Sequence, residues 1–411
     1  MTEGHTPRGN PWFVPAILLG MVLGGVAGAL LGREVAAIRL LGDLFLAALK
    51  MMIVPLVASS MIVGVSSLGD IRRLGRLGLL TLAYYLTTTL LAVVIGLALV
   101  NLFRPGAGVQ AGAVFDRAVG DYSFLDVIRG LVPANVFRAM AEGDILPLIF
   151  FSLFFGGVMT TLGRKARPVL AVVEGIFEIS MRMVRIIVAA APVGVFALVA
   201  TRLGEAGGWS AFAAELRGLG IYAATVLSGL GIHGVVVLPA LLFLLGRRSP
   251  LRFVRDMAEP LMLAFSTASS SATLPVTIET IDEKAGVDPR VGSFVLPLGA
   301  TVNMDGTALY EAVAAVFIAQ SYGVDLTLPV QMVIVLTATL AAIGAAGIPE
   351  AGLVTMVMVL HAAGLPVEGI GIILAIDWFL DRCRTTVNVW GDAVGAAVLE
   401  RFAGLAPRAD T

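Results

Sequence analysis

Six apolar stretches, at 12–31, 38–68, 78–103, 144–163, 181–204 and 217–246, fill most of the first 246 residues. Each matches or exceeds the ~20 residues that carry a helix across a bilayer. A water-soluble fold cannot bury that many long apolar helices. The chain has 411 residues, and its composition agrees, with 58% hydrophobic and only 14% charged, where soluble domains carry about a quarter charged. The expected class is an all-α membrane protein. A net charge of −1 excludes nucleic acid as a partner, because phosphate binding needs a concentrated cationic face. The single cysteine, Cys383, has no intrachain partner and leaves the redox compartment open.

The stretch from Trp12 to Leu31 lacks an A-x-A cleavage pattern and reads as a first spanning helix, not a signal peptide. Arg72, Arg73 and Arg76 follow the second stretch, Arg164, Lys165 and Arg167 the fourth, and Arg247, Arg248, Arg252 and Arg255 the sixth. These loops and the N-terminus fall on one side, which the retention of Lys and Arg makes the cytoplasmic one. A polar, Gly-rich segment at 104–126 and a weaker apolar piece to about 142 read as an external loop with a broken helix.

After Asp256 the apolar runs are interrupted. One, at 256–282, is centred on A-S-S-S-A-T-L-P from Ala268 to Pro275; another, at 328–364, is centred on A-A-I-G-A-A-G-I-P-E-A-G from Ala341 to Gly352. Both fit re-entrant hairpins, tolerable only where protein or a water-filled cavity surrounds the exposed backbone. Each is followed by a helix with an amide and carboxylate pair: Asn303 with Asp305, then Asn388 with Asp392. Paired, interrupted segments in corresponding positions point to a transporter site at an inverted-repeat interface.

At 100° per residue, Asp377, Asp381, Arg384, Thr385, Asn388 and Asp392 share one arc of about 100° on the last helix. Charge at membrane depth is costly unless paired or hydrated, so the stripe should face a site. An ion-pair ladder that only glues helices together is the plain alternative, and the surplus of carboxylates over cations argues against it. Asp381 suits an ammonium and Arg384 a carboxylate, the two ends of a zwitterionic acid. Thr385 and Asn388 supply further hydrogen bonds, and the serines at 269–271 lie near a helix N-terminus that favours anions.

From Gly299 to Glu311, amide and carboxylate oxygens surround glycines that permit unwinding. Carbonyls freed by an unwound helix suit a hard cation such as Na⁺. Glu311 stands in an apolar run where desolvation disfavours its charged form, making it a candidate proton carrier. Tyr84 to Thr89 form a polar knot in the third stretch; Lys50 is expected to snorkel; His233 and His361 have no metal-ligand partner at usable sequence spacing and receive no role. Hydrolase, Walker and zinc spacings are missing, so no enzyme is expected.

The runs S-S-S-A-T-L-P-V-T, N-M-D-G-T-A-L-Y-E, A-A-I-G-A-A-G-I-P-E-A-G and D-W-F-L-D-R-C-R-T-T-V-N-V-W-G-D resemble the four signature regions of the dicarboxylate/amino acid:cation symporters, which include the excitatory glutamate transporters. The resemblance covers nearly the whole chain. It implies eight transmembrane helices plus two re-entrant hairpins built as inverted repeats. It also implies a homotrimer in a lipid bilayer, an elevator-type transport movement, and a multi-pass plasma membrane location, here a bacterial inner membrane. Residues 1–251 would be mainly scaffold and trimerisation helices, with helices 3 and 6 contributing to transport, and 252–411 the core transport domain.

The resemblance further implies that Asp381 holds the substrate amino group and Arg384 its side-chain carboxylate. Ser269, Ser270, Thr307, Ile348, Gly352, Thr385 and Asn388 would complete the pocket, with Asp377 in support. Gly299, Asn303, Asn388 and Asp392 would form one Na⁺ site, and Tyr85, Thr88, Thr89, Asn303 and Asp305 another. A third would combine Thr301 with carbonyls near Ala342, Ile343 and Ala345.

Some positions depart from relatives. Ala268 stands where some archaeal members have arginine, and an arginine occurs instead at Arg382, as in the animal glutamate carriers. Ala342 and Ala345 replace hydroxyl residues. Glu311, where several prokaryotic members have glutamine, points to H⁺ co-transport and leaves K⁺ countertransport open. A channel or a non-translocating receptor is a rival class, and a C4-dicarboxylate or neutral amino acid carrier a rival within the class.

Overall fold

The computed structural model describes residues 13–67, 75–109, 132–142, 144–206, 209–345, 347, 349 and 351–403. Within them every regular element is helical. The membrane-facing half comprises α1 (Phe13–Leu31), α2 (Ala36–Met51), α3 (Ile53–Ser67), α4 (Gly75–Phe103), the short α5 (Val136–Glu142), α6 (Ile145–Leu162), α7 (Arg167–Ala189), α8 (Ala191–Ala206) and α9 (Trp209–Gly231). Helix α9 runs on through π-helical turns at Ile232–Val237 and Leu242–Gly246. Large apolar side chains such as Leu30, Phe154, Val235 and Phe243 are exposed on the outside, as lipid and not water would require.

Two of the six expected stretches are broken. The 38–68 stretch divides between α2 and α3, because Pro55 has no N–H to offer the Met51 carbonyl four residues back. The 181–204 stretch straddles α7 and α8, with Pro192 just inside α8 doing the same to the carbonyl of residue 188. Among the described residues, four helical runs are long and apolar enough to cross a bilayer, at Arg76–Phe103, Pro147–Lys165, Leu216–Gly246 and Pro289–Ser321, the last interrupted at Asn303 and Met304. The external loop expected at 104–126 lies mostly outside the described residues.

The second half holds both hairpins. After the short α10 (Pro250–Asp256), α11 (Ala258–Thr267) and α12 (Ser270–Glu283) form the first; α15 (Leu328–Gly344) and α16 (Ala351–Ala362) form the second. Between them lie α13 (Pro289–Val302) and α14 (Asp305–Ser321), and α17 (Ile370–Glu400) closes the fold. Every residue of α14 except Gln320 is buried, and the helix is surrounded by α4, α9, α15, α16 and α17.

Candidate functional site

Three backbone interruptions converge. Helix α11 ends with Ala268 in the left-handed region at φ 50°, and Ser269 caps α12 by accepting a hydrogen bond from the Ala272 N–H at 3.1 Å. The same Ser269 hydroxyl donates to the Gly347 carbonyl at 2.7 Å, which also accepts from the Ser271 N–H at 3.0 Å. The two hairpin tips are thereby joined. The third interruption parts α13 from α14 at Asn303 and Met304, both outside helical geometry. It leaves the last carbonyls of α13 and the first N–H groups of α14 without intrahelical partners. Asn388 of α17 takes one of these, its Oδ1 accepting from the Gly306 N–H at 2.8 Å while its Nδ2 donates to Thr307 Oγ1 at 3.2 Å.

A small cavity opens where these parts meet, lined by Ser270, Thr307, Gly352, Asp381, Thr385 and Asn388, with Ala268, Met304 and Gly347 at its edge. Arg384 lies against it. Its Nε donates to Asp381 Oδ1 at 3.0 Å and its Nη1 to Asp377 Oδ1 at 2.9 Å. The Nη2 sits 2.9 Å from Asp381 Oδ1 but is not aligned for a hydrogen bond, so its donors are uncommitted. The guanidinium carbon stands 4.1 Å over the Tyr310 ring, a cation–π contact that holds the group flat. Gly352 gives it room: a Cβ there would lie 2.8 Å from Cζ and Nη2.

A second cluster lies deeper. Asn303 Nδ2 donates to Asp392 Oδ1 at 2.9 Å, and Gly299 packs so closely beside Asp392 and the Tyr85 hydroxyl that no side chain fits there. Asp305 Oδ1 accepts from Thr89 at 2.6 Å and Thr88 at 3.3 Å. Tyr85 donates to the Val295 carbonyl at 2.9 Å. The polar knot of α4 therefore meets the break between α13 and α14. Thr301 donates to the Leu298 carbonyl at 3.1 Å, and Gly347 lies against the Ala300 carbonyl. Ala342, Ile343 and Ala345 are buried at the end of α15 and just beyond it, on a helix that packs on α13. Ile348 lies outside the described residues.

Glu311 is fully buried, and neither of its oxygens has a hydrogen-bond partner. Asp305, Asp377, Asp381 and Asp392 are also buried, and among the buried described residues Arg384 is the one arginine or lysine. Carboxylates in such surplus are neutralised by protons or by added cations. Sequence reasoning missed three participants. Tyr310 stacks under Arg384, Trp390 donates its indole N–H to the Gly234 carbonyl at 2.9 Å, and His233 bonds Asp305 at 2.9 Å. For His233 a signal existed, since a lone ionisable residue inside a spanning run marks a functional position by default.

A carboxylate-rich pocket closed by two joined hairpin tips, inside a lipid-facing helical shell, is the architecture of a membrane carrier. The chain belongs to the sodium:dicarboxylate symporter family, whose model matches residues 13–402. It is 40% identical to mouse excitatory amino acid transporter 3 over 96% of this chain and 86% of that protein. The human transporter of that name is 38% identical over the same shares. A putative sodium-dependent excitatory amino acid transporter, glt-4, of Caenorhabditis elegans is 39% identical over 94% of this chain and 89% of its own length.

Proposed function

We propose that this chain imports acidic amino acids, glutamate or aspartate, by symport with Na⁺. The observation that carries the reading is the surplus of buried carboxylates over Arg384. An incoming ammonium and co-transported Na⁺ would supply the missing positive charge, and the uncommitted Arg384 Nη2 would receive a side-chain carboxylate. The animal relatives named as excitatory amino acid transporters support the same substrate class.

In this reading Asp381, Arg384, Thr385, Asn388, Thr307, Ser269, Ser270, Ile348 and Gly352 hold the substrate. Gly299, Asn303, Asn388 and Asp392 hold one Na⁺, and Tyr85, Thr88, Thr89, Asn303 and Asp305 a second. Thr301 and the carbonyls near Ala342, Ile343 and Ala345 hold a third. Glu311 carries H⁺, and a K⁺ gradient tests for K⁺ return on the empty carrier. Eight spans and two hairpins assemble as a homotrimer in a bacterial inner membrane. Residues 252–411 with the third and sixth spanning stretches, which are α4 and the extended α9, move as an elevator against the remaining scaffold of 1–251.

Purified protein in liposomes tests this directly. Radiolabelled aspartate and glutamate uptake is measured under separately imposed Na⁺, H⁺ and K⁺ gradients, with succinate and serine as competitors. Saturable uptake driven by inward Na⁺ is expected. Uptake indifferent to the Na⁺ gradient, or blocked better by succinate than by aspartate, would overturn the reading.

A further inference from the structure

His233 is fully buried in the π-helical turn Ile232–Val237 that interrupts the long α9 helix. Such turns are frequent at functional sites, because the extra residue re-aims a side chain and upsets the regular carbonyl ladder. Here the adjacent Gly234 carbonyl accepts the Trp390 indole N–H from α17, a bond that ties the turn to the helix carrying the stripe. The imidazole Nε2 reaches Asp305 Oδ2 at 2.9 Å, from 72 residues away in sequence. The other ring nitrogen, Nδ1, is buried with no hydrogen-bond partner. Facing a carboxylate oxygen, Nε2 carries a proton and donates it.

Asp305 is thus held at both oxygens, Oδ2 by His233 and Oδ1 by Thr89 and Thr88. Thr88 Oγ1 also lies 3.4 Å from Asn303 Oδ1, so Oδ1 is the oxygen turned toward the proposed Na⁺ ligands. A carboxylate free to rotate would trade its two oxygens and pay the ordering entropy at each binding event.

We infer that His233 is a positioning residue for Na⁺: by donating from Nε2 it locks the Asp305 carboxylate so that Oδ1 faces the cation. The inference rests on the proposed Na⁺ site at Asp305. Metal-ligating carboxylates are themselves held by hydrogen-bonded partners whose removal typically costs 10–100-fold in metal affinity.

The test compares His233→Ala, His233→Gln and Thr89→Ala in proteoliposomes. Aspartate uptake is titrated with Na⁺ at saturating aspartate, and Na⁺-dependent thermal stabilisation is followed in detergent. His233→Ala is expected to raise half-saturating Na⁺ by about 10–100-fold and to weaken the Na⁺-dependent stabilisation accordingly. In His233→Gln the amide nitrogen takes the place of Nε2, and the Na⁺ dependence should return to within a few-fold of the parent. An unshifted Na⁺ titration in a folded His233→Ala protein overturns the inference, as does an equal shift in both His233 variants. Thr89→Ala separates the two readings. If it shifts the Na⁺ titration and His233→Ala does not, only the positioning role fails; if neither does, the Na⁺ site itself fails.

Discussion

Arg384 and Asp377 face each other across two turns of a single helix, Nη1 to Oδ1 at 2.9 Å, with side-chain exposures of 1% and 3%. Both partners belong to α17, so the pair keeps its geometry whatever the hairpins do. It presents the guanidinium to the cavity already oriented, so the ordering cost is not charged to substrate. Removing one partner of a buried pair strands the other, at about 3–5 kcal/mol.

Arg384→Cys is therefore expected to lose aspartate and glutamate uptake and to admit neutral amino acids such as serine. Competition assays in liposomes give the result, and undiminished acidic uptake would refute the assignment. Arg384 also pairs with Asp381, so adding Asp377→Asn removes one of the two stranded charges. The double variant should regain part of the lost thermal stability without regaining acidic uptake.

Glu311 has no partner for either oxygen, so Glu311→Gln replaces a proton-binding group by a neutral one of equal size. Acidifying the outside medium should accelerate uptake by the parent protein and leave Glu311→Gln unchanged, while Na⁺-driven exchange persists in both. A variant that still responds to an imposed pH gradient removes Glu311 from the proton path.

Asp392 accepts from Asn303 and adjoins Gly299. Asp392→Asn keeps the shape and removes the charge of a proposed ligand, so half-saturating Na⁺ should rise by at least the about 10–100-fold that loss of a merely supporting partner costs. A Na⁺ titration of aspartate uptake reads the shift. No change would place the cation elsewhere.

Gly352 and Gly220 make a matched pair of substitutions. A Cβ at Gly352 meets the Arg384 guanidinium, which Asp377 and Asp381 prevent from yielding, whereas a Cβ at Gly220 meets nothing within 4 Å. Overpacking costs about 1–3 kcal/mol, or roughly 5- to 150-fold in affinity. Gly352→Ala should raise the KM for aspartate within that range, and Gly220→Ala should leave it untouched.

Much of this was legible in the chain because membrane depth makes polarity conspicuous. The arc of Asp377, Asp381, Arg384, Thr385, Asn388 and Asp392 follows from helical period alone, and all six are buried. The hairpins were legible because glycine, serine and proline break apolar runs, and the structure bends at Ala268 and beyond Gly344. Helix breaks at Met52 and Ala190 escaped because apolar content masks the effect of Pro55 and Pro192. His233 carried a signal as a lone ionisable residue in a spanning run, but its partner Asp305 is on a different helix, and no spacing rule along a sequence names a contact between helices. The same holds for the Arg384 stack on Tyr310.

The near-complete burial of α14, Gln320 alone excepted, also bears on how the protein is made. Membrane helices normally leave the translocon by exchanging their outer faces into lipid, where Asp costs about 2.5–3.5 kcal/mol at mid-depth. A segment that begins with Asp305, carries Glu311 and shows no face to lipid gains little from that exchange alone. Its acceptable surroundings include α15, α16 and α17, which the ribosome has not yet made. Of its neighbours only α4 and α9 are already made, so α14 is expected to wait beside them until α15–α17 follow, and charge-neutralising changes in α14 should speed its insertion.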